Sequence, residues 1–165
     1  MTILVTSPGV LVWQDRKIRC ALGPNGIGQK LREGDGLTPQ GIYPLRRVFY
    51  RPDQLTRPQT RLPLVALSQG LGWCDDPASP EYNTLVDLPS SASHEKMWRD
   101  DNLYNLVVEV GFNDDPVVPG RGSAVFMHVA RPDYSPTQGC IAITQPELLT
   151  MLAEITPQAR LDIRP

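Results

Sequence analysis

The sequence predicts a mainly β protein, a β-sandwich or partly open barrel with two or three short helices. Short runs rich in β-branched and aromatic residues recur along the whole chain. The 17 Pro and 13 Gly residues separate these runs but form no low-complexity linker. Few segments have the periodicity of a helix, and 165 residues is a common size for one domain. We therefore expect residues 1–165 to form a single domain of layered β-structure.

The predicted strands follow one another closely from the N-terminus. The turn signal Ser7-Pro8-Gly9 separates the first two, ILVT and VLVWQ. The others are predicted in KIRCAL, GIYPLRRVFY, LPLVAL, NLVVEVGF, SAVFMHV, CIAI and ARLDI. The last of these alternates between apolar and charged residues, which is typical of a strand with one buried face.

Two segments predict helices. In ASHEKMWRD, Ser93 is a suitable N-cap and a carboxylate follows in the first turn. The second helix begins at Thr144-Gln145-Pro146-Glu147, a capping box that tolerates Pro in the first turn. Pro157 ends it, and its apolar positions share one face: Leu148, Leu149, Leu152 and Ile155.

Composition disfavours several classes of protein. A net charge of −2 and a pI near 5.6 disfavour a nucleic-acid-binding surface. No run of 18 apolar residues predicts a membrane span, and the N-terminus lacks the charged and apolar regions of a signal peptide. Five Arg residues fall between positions 46 and 61, where they either form two-pronged pairs with carboxylates or phosphates or lie on a solvated surface.

The three cysteines show no spacing typical of a metal site. Cys20, Cys74 and Cys140 are far apart, and the chain has only two His. We therefore expect no metal and no cofactor. Cys20 and Cys74 are either buried thiols or, in an oxidising compartment, a disulfide that leaves Cys140 free.

The segment SAVFMHVARPDYSPTQGCIAI carries the candidate chemistry. His128 lies near the end of a predicted strand, Ser123 to Val129, and Cys140 begins the next strand after a loop. If the loop folds back as a hairpin, the imidazole lies beside the thiol and accepts its proton. Backbone N–H groups near Gly139 and Cys140 would then stabilise an oxyanion. From spacing alone, a small buried Cys and a core His explain the same pattern.

The same segment resembles the signature of the L,D-transpeptidase (YkuD-type) catalytic domains. In that family a His on a strand is followed by Ser/Thr-x-Gly-Cys and a short apolar strand, matched here by His128 and Thr137-Gln138-Gly139-Cys140. Upstream, DGLTPQGIYPL resembles the family's Thr-Pro-x-Gly segment. GWCDDPASPEYN and EKMWRDDNLY resemble a compact, single-domain branch, and the resemblance runs from about Gly34 to Ile163.

The resemblance implies a periplasmic or cell-envelope enzyme of peptidoglycan synthesis and cell shape. Cys140 would attack a diaminopimelate-containing stem peptide, and the acyl group would pass to an amine of a second stem in a 3,3 or 1,3 link. His128 would be the base, oriented by the Val129 carbonyl, with oxyanion donors at Gly139 and Cys140. Thr137 would brace the loop.

Three positions depart from the family pattern. Many members have His or Arg where this chain has Gln138, and Arg where it has Ala142. The residue after the His is commonly Gly or Ser, but here it is Val129. These changes leave the nucleophile and base in place, and they put the preference for a particular stem peptide in doubt.

Further residues are candidates for substrate binding. Gln138 would form part of the pocket wall, and Arg131 is either a carboxylate clamp or a solvated loop residue. The Pro-broken loop that carries Trp73, Asp75, Tyr82 and Asn83 is either a cleft wall or a turn that buries Trp73. His94 is a rival base.

Two alternatives to a transpeptidase stay open. Water could release the acyl-enzyme, which would make the protein an L,D-carboxypeptidase or peptidase. The chain could also be a non-catalytic cell-wall binding module in which Cys140 is structural.

Overall fold

The computed structural model describes residues 1–165 and confirms a mainly β fold, with 35% of residues in strands and 6% in helix. One α-helix is present, so the expected second helix is wrong. The elements in chain order are β1 Thr2–Thr6, β2 Val10–Trp13, β3 Arg16–Arg19, β4 Ile27–Gly28, β5 Thr38–Pro39, β6 Gly41–Tyr50, β7 Leu64–Ala66, β8 Leu71–Cys74, β9 Leu85–Asp87, β10 His94–Lys96, β11 Leu106–Val110, β12 Phe126–Val129, β13 Ile141–Ile143, α1 Gln145–Glu154 and β14 Arg160–Arg164.

A nine-stranded sheet forms most of the molecule and nearly closes into a barrel. Its strand order is β13-β12-β11-β6-β14-β1-β2-β3, and β7 pairs with β6 off this path. Beyond β3, Ala21 forms a bridge with Ala142 of β13, with N–H to O distances of 2.8 and 3.0 Å. This bridge brings the two ends of the sheet together within two residues of Cys140.

The main core fills the inside of this curved sheet and contains 25 buried residues. Helix α1 covers one end of it through Leu148, Met151 and Leu152, all fully buried. Its predicted capping box is confirmed, since the Thr144 hydroxyl accepts from the Glu147 N–H and the Glu147 carboxylate accepts from the Thr144 N–H. No helix in the protein is long and apolar enough to cross a membrane.

The segment predicted as a helix after Ser93 is a strand. β10 pairs antiparallel with β8 in a three-stranded sheet of order β10-β8-β9, so His94 lies opposite Cys74. Met97 is fully buried in a second core of nine residues, which lies between this sheet and the large one. Pairing across the sheet and burial of Met97 outweigh the capping signal of Ser93, because local helix signals are weak beside tertiary packing.

β12 and β13 are parallel, which corrects the expected hairpin. Met127 pairs with Ile141, His128 with Ala142 and Val129 with Ile143. The segment from residue 130 to residue 140 therefore crosses over between two strands that run the same way. Because the register places Cys140 two positions before Ala142, the two candidate catalytic residues lie diagonally across one face of neighbouring strands.

The Arg-rich stretch forms ion pairs within the fold. Arg46 binds both carboxylate oxygens of Asp114, at 2.8 and 3.2 Å. Arg51 is nearly buried, with both of its contacts to Asp53 at 2.8 Å. Of the two interpretations for this stretch, two-pronged pairing with carboxylates applies at these positions.

Candidate active site

Cys140 and His128 line the same open cavity, with a volume of about 610 Å³. Strand β12 supplies the imidazole, and the crossover loop supplies the thiol just before β13. Both residues are buried, at 8% and 6% exposed, so each presents little surface beyond its face toward the cavity. The cavity is large enough for a peptide-sized ligand to reach both groups.

The His128 ring is fixed by its own backbone. Its Nδ1 lies 2.9 Å from the carbonyl oxygen of Val129, so Nδ1 carries the proton and donates it there. The Tyr104 ring and the imidazole pack in an edge-to-face arrangement, with 5.3 Å between ring centroids. The other ring nitrogen, Nε2, has no hydrogen-bond partner in the protein. Nε2 is not fully buried, so it is open to the cavity as a proton acceptor.

The Cys140 sulfur lies between two backbone groups of the neighbouring chain segment. Its S–H donates to the Ala124 carbonyl at 3.3 Å, and Sγ accepts from the Phe126 N–H at 3.4 Å. The S–H does not donate to His128. The thiol therefore makes hydrogen bonds only to backbone groups, and the imidazole, which lines the same cavity, is not one of its partners.

Both groups are uncharged at neutral pH. Burial raises the pKa of the Cys140 thiol to about 12, and the nearby Glu95 carboxylate adds to this. Burial also lowers the pKa of His128 to about 4, against the opposing effect of its bond to Val129. The resting site thus holds a thiol and a neutral imidazole, and the preformed ion pair that Cys–His spacing suggests is absent.

The Gly139–Cys140 turn is braced by Thr137. The Thr137 hydroxyl donates to the Cys140 carbonyl at 2.7 Å and accepts from the Gly139 N–H at 3.1 Å. The Gly139 N–H is therefore occupied, which differs from its expected part as an oxyanion donor. The Cys140 N–H makes no hydrogen bond within the protein and is the free donor at this point. Gly139 itself has φ +125°, a conformation that only glycine adopts readily.

A hydrogen-bonded charged group lines the cavity beside the imidazole. The Tyr104 hydroxyl donates to the Glu95 carboxylate, and Arg99 lies 3.9 Å from the same carboxylate. Burial raises the pKa of Glu95, although the Tyr104 bond opposes the rise. Arg99 also pairs with Asp101, which lies 4.0 Å from Arg131. Glu95 and Tyr104 are the first and last residues of EKMWRDDNLY, the segment that resembles the compact branch of the family, and the fold brings both to the cavity.

A buried ion pair lies beside the Gly139–Cys140 turn, and no sequence pattern predicts it. Lys30 donates to Asp35 at 2.6 Å, and both side chains are less than 10% exposed. The Leu37 carbonyl in the same segment lies against Gly139, where a Cβ would come within 2.7 Å of its oxygen. No motif identifies Lys30, because its position at the cavity depends on how residues 30–37 pack over the Gly139–Cys140 turn.

The predicted substrate-binding residues divide into two groups. Thr137, Gln138, Arg131 and Asp75 line the cavity. Trp73, Tyr82 and Asn83 are buried behind the wall, at 3%, 2% and 6% exposed, and they do not line it. For the loop of residues 73–83, the structure therefore combines a cavity wall at Asp75 with a turn that buries Trp73.

The rival base, His94, is not placed to take a proton from Cys140. His94 lies outside the cavity, and its Nδ1 is 2.8 Å from the Ala92 carbonyl oxygen.

Cys20 and Cys74 are buried free thiols, so the structure has no disulfide between them. No group of three or more His, Cys, Asp or Glu side chains is arranged to hold a metal ion.

Comparisons with known proteins identify the family and the fold of the chain. The sequence model of the YkuD family, the L,D-transpeptidase catalytic domain, matches residues 2–163. Two crystal structures share the fold: the helical cell shape determining protein Pgp2 from Campylobacter jejuni, with a TM-score of 0.52, and a variant of it, with 0.51. Each is 14% identical, and the match covers 99% of this chain but 46% of theirs. No curated protein matches the sequence. The chain belongs to the L,D-transpeptidase catalytic domain family.

Proposed function

We propose that the protein is an L,D-transpeptidase that joins peptidoglycan stem peptides through a Cys140 thioester. The observation that carries this proposal is the shared cavity: the open Nε2 of His128, on β12, and the Cys140 thiol, just before the neighbouring strand β13, both line it. The family membership supports the reaction class. The cell envelope, where such a substrate occurs, follows as the site of action.

The reaction begins when substrate displaces the S–H from the Ala124 carbonyl. His128 Nε2 takes the thiol proton as Sγ attacks the carbonyl carbon of the diaminopimelate residue. The Cys140 N–H donates to the oxygen that becomes negatively charged, a contribution of about 3 kcal/mol for one such donor. Because the resting groups are neutral, proton transfer accompanies the attack rather than preceding it.

Collapse of this intermediate breaks the peptide bond. The amine of the following residue takes the proton from His128 and leaves, which yields the thioester. The amine of a second stem then attacks the thioester carbon and gives a proton to Nε2. Cys140 leaves as thiolate, takes that proton back, and the new peptide bond joins the two stems.

The walls of the cavity suit a ligand that carries both a positive and a negative group. Three cations and three carboxylates line it: Lys30, Arg99, Arg131, Glu33, Asp75 and Glu95. Arg131 is the cation with the weakest pairing, since it is half-exposed and 4.0 Å from Asp101. Stem peptides bearing diaminopimelate offer an ammonium and a carboxylate together, so such a wall can hold both.

Purified tetrapeptide muropeptides test the proposal. Mass spectrometry of the products should show cross-linked dimers, and these should vanish with Cys140→Ala and fall at least 100-fold with His128→Gln. His94→Gln is the matched control and should retain activity. Tripeptide monomers without dimers would indicate release by water, the carboxypeptidase alternative. Binding of muropeptides without any product, equal in wild type and Cys140→Ala, would indicate a binding module.

A further inference from the structure

The backbone segment that holds the Cys140 sulfur has an unusual conformation. Ala124, whose carbonyl accepts the S–H, has φ +52°, in the left-handed region that residues with a Cβ rarely adopt. The N–H of Phe126, two residues further along the chain, donates to the same sulfur. A non-glycine residue keeps such a conformation only where its surroundings impose it.

The side chain of Asn83 imposes it. Its Oδ1 accepts from the Ala124 N–H at 3.1 Å and from the Trp73 indole at 3.0 Å. Its Nδ2 donates to the carbonyls of Phe112 and Asn113, at 3.1 and 2.8 Å. All hydrogen-bonding positions of this amide are therefore used, which fixes its orientation within the buried layer.

We propose that Asn83 is a positioning residue that fixes the Ala124 carbonyl against the Cys140 S–H, which keeps the thiol protonated and directed away from His128 until a ligand enters the cavity. A carbonyl can accept only from the protonated sulfur, so this contact stabilises the thiol over the thiolate. The inference rests on the proposed function only in treating Cys140 as the nucleophile. Its physical content, a thiol held by Ala124, is independent of the substrate.

The contact has a consequence for thiol chemistry. The thiolate is the form that reacts with alkylating reagents and oxidants, so a held S–H protects the free protein from both. Asn83 touches none of the charged and titratable groups that face the sulfur, and its replacement leaves them in place: His128, Glu95, Tyr104, Arg99 and Lys30. The other backbone contact of the sulfur, from the Phe126 N–H, favours the thiolate, so its loss would slow the reaction. Faster reaction on replacing Asn83 therefore reports loss of the Ala124 contact.

Alkylation by iodoacetamide between pH 6 and 10, followed at each cysteine by peptide mass spectrometry, tests the proposal. Asn83→Gly removes the amide and allows the same backbone, since Asn83 has φ +59°. We expect Cys140 in Asn83→Gly to label about fivefold faster at neutral pH, the factor expected from one neutral hydrogen bond, with its pH profile moved to lower pH. Cys20 and Cys74 should label at their wild-type rates.

Asn102→Gly is the matched control, because Asn102 also has a positive φ, +65°, but is exposed, does not line the cavity and makes no contact with Ala124. It should leave all three labelling profiles unchanged. A wild-type profile or slower labelling at Cys140 in Asn83→Gly overturns the proposal. Equal acceleration at all three cysteines also overturns it, because that result indicates general loosening of the fold.

A measurement on the wild-type protein covers the case in which Asn83→Gly does not fold. The infrared S–H stretch of Cys140, identified by its loss in Cys140→Ala, should lie at the lower frequency of a hydrogen-bonded thiol. A band at the frequency of a free thiol contradicts the proposal. Either result leaves the transpeptidase proposal to its own test with muropeptides, so the two can fail separately.

Discussion

The Nδ1 of His128 lies 2.9 Å from the carbonyl oxygen of Val129, the next residue in the chain. The imidazole is thus oriented by a peptide group of its own strand, and the side chain at position 129 takes no part in this contact. A residue with any side chain supplies the same carbonyl, so the departure to Val at this position leaves the orientation of the imidazole intact.

Replacing Val129 should therefore separate stability from catalysis. Val129→Ala removes two methyl groups that pack against the main core, and we expect a loss of about 1 kcal/mol in the free energy of unfolding. The turnover number with muropeptides should stay within about twofold of wild type, since the carbonyl remains. Urea denaturation and steady-state kinetics measure the two effects. A large fall in turnover would mean that the side chain itself orients the base.

Acidification should weaken the fold through His128. Burial lowers the pKa of its imidazole from 6.5 to about 4, so between these values the unfolded chain binds a proton that the folded chain does not. The stability is fully present above pH 6.5 and is lost as the pH falls toward 4, by about 3 kcal/mol. Urea denaturation at pH 7 and pH 4 should show this loss in wild type.

The matched variants identify the residue responsible for that loss. His128→Gln should show a fall in stability between pH 7 and pH 4 that is smaller by the same amount, because it has no imidazole to protonate. His94→Gln should lose stability as wild type does, since His128 is still present. An identical pH dependence in wild type and His128→Gln would contradict the burial of a neutral imidazole.

Gly139, the residue before Cys140, should tolerate no side chain. A Cβ at Gly139 would lie 2.7 Å from the Leu37 carbonyl oxygen, and its φ of +125° is strained for any other residue. Gly139→Ala should cost about 3 kcal/mol of stability, combining backbone strain and the clash. Gly26→Ala is the control, because Gly26 has φ +76° but open space around it, and should cost about 1 kcal/mol. Equal costs at the two positions would mean that the 30–37 segment does not pack on the turn.

Arg131 should affect substrate binding more than chemistry. Its guanidinium lines the cavity, is half-exposed, and has only a 4.0 Å contact with Asp101. If it binds a stem carboxylate, Arg131→Gln should raise KM about tenfold with kcat nearly unchanged. Arg121→Gln, on an exposed turn outside the cavity, is the control. A fall in kcat at constant KM would instead place Arg131 at the reacting centre.

Much of the fold could be predicted from local pattern, but the pairing of its strands could not. The β6 run and the capped helix at Thr144 carry strong local signals, and both occur as predicted. The strand at His94 was wrongly predicted as a helix, because its structure depends on pairing with β8 and on burial of Met97. The direction of β13 relative to β12 was wrong for a similar reason, since a loop length does not fix which way the next strand runs.

The candidate site shows the same limit. Residue types in one short segment single out His128 and Cys140 as a thiol and a base, but the family resemblance, and not their spacing, favours a catalytic pair over a buried Cys and a core His. The protonation state of the pair and the position of the Lys30–Asp35 ion pair beside the Cys140 turn follow from packing between distant segments. The Gly139 N–H is occupied by a local contact, the hydroxyl of Thr137 two residues earlier, which residue types alone do not specify. Asn83 is likewise a predicted substrate contact, but it is buried behind the cavity wall and does not line the cavity.

The most direct test of Cys140 as a nucleophile is intact-protein mass spectrometry during turnover of a tetrapeptide muropeptide. We expect a covalent adduct with the mass of the acyl fragment, mapped to Cys140, absent in Cys140→Ala and formed at least 100-fold more slowly in His128→Gln. An adduct on another residue, or cross-linked product formed at the wild-type rate by Cys140→Ala, would contradict the account.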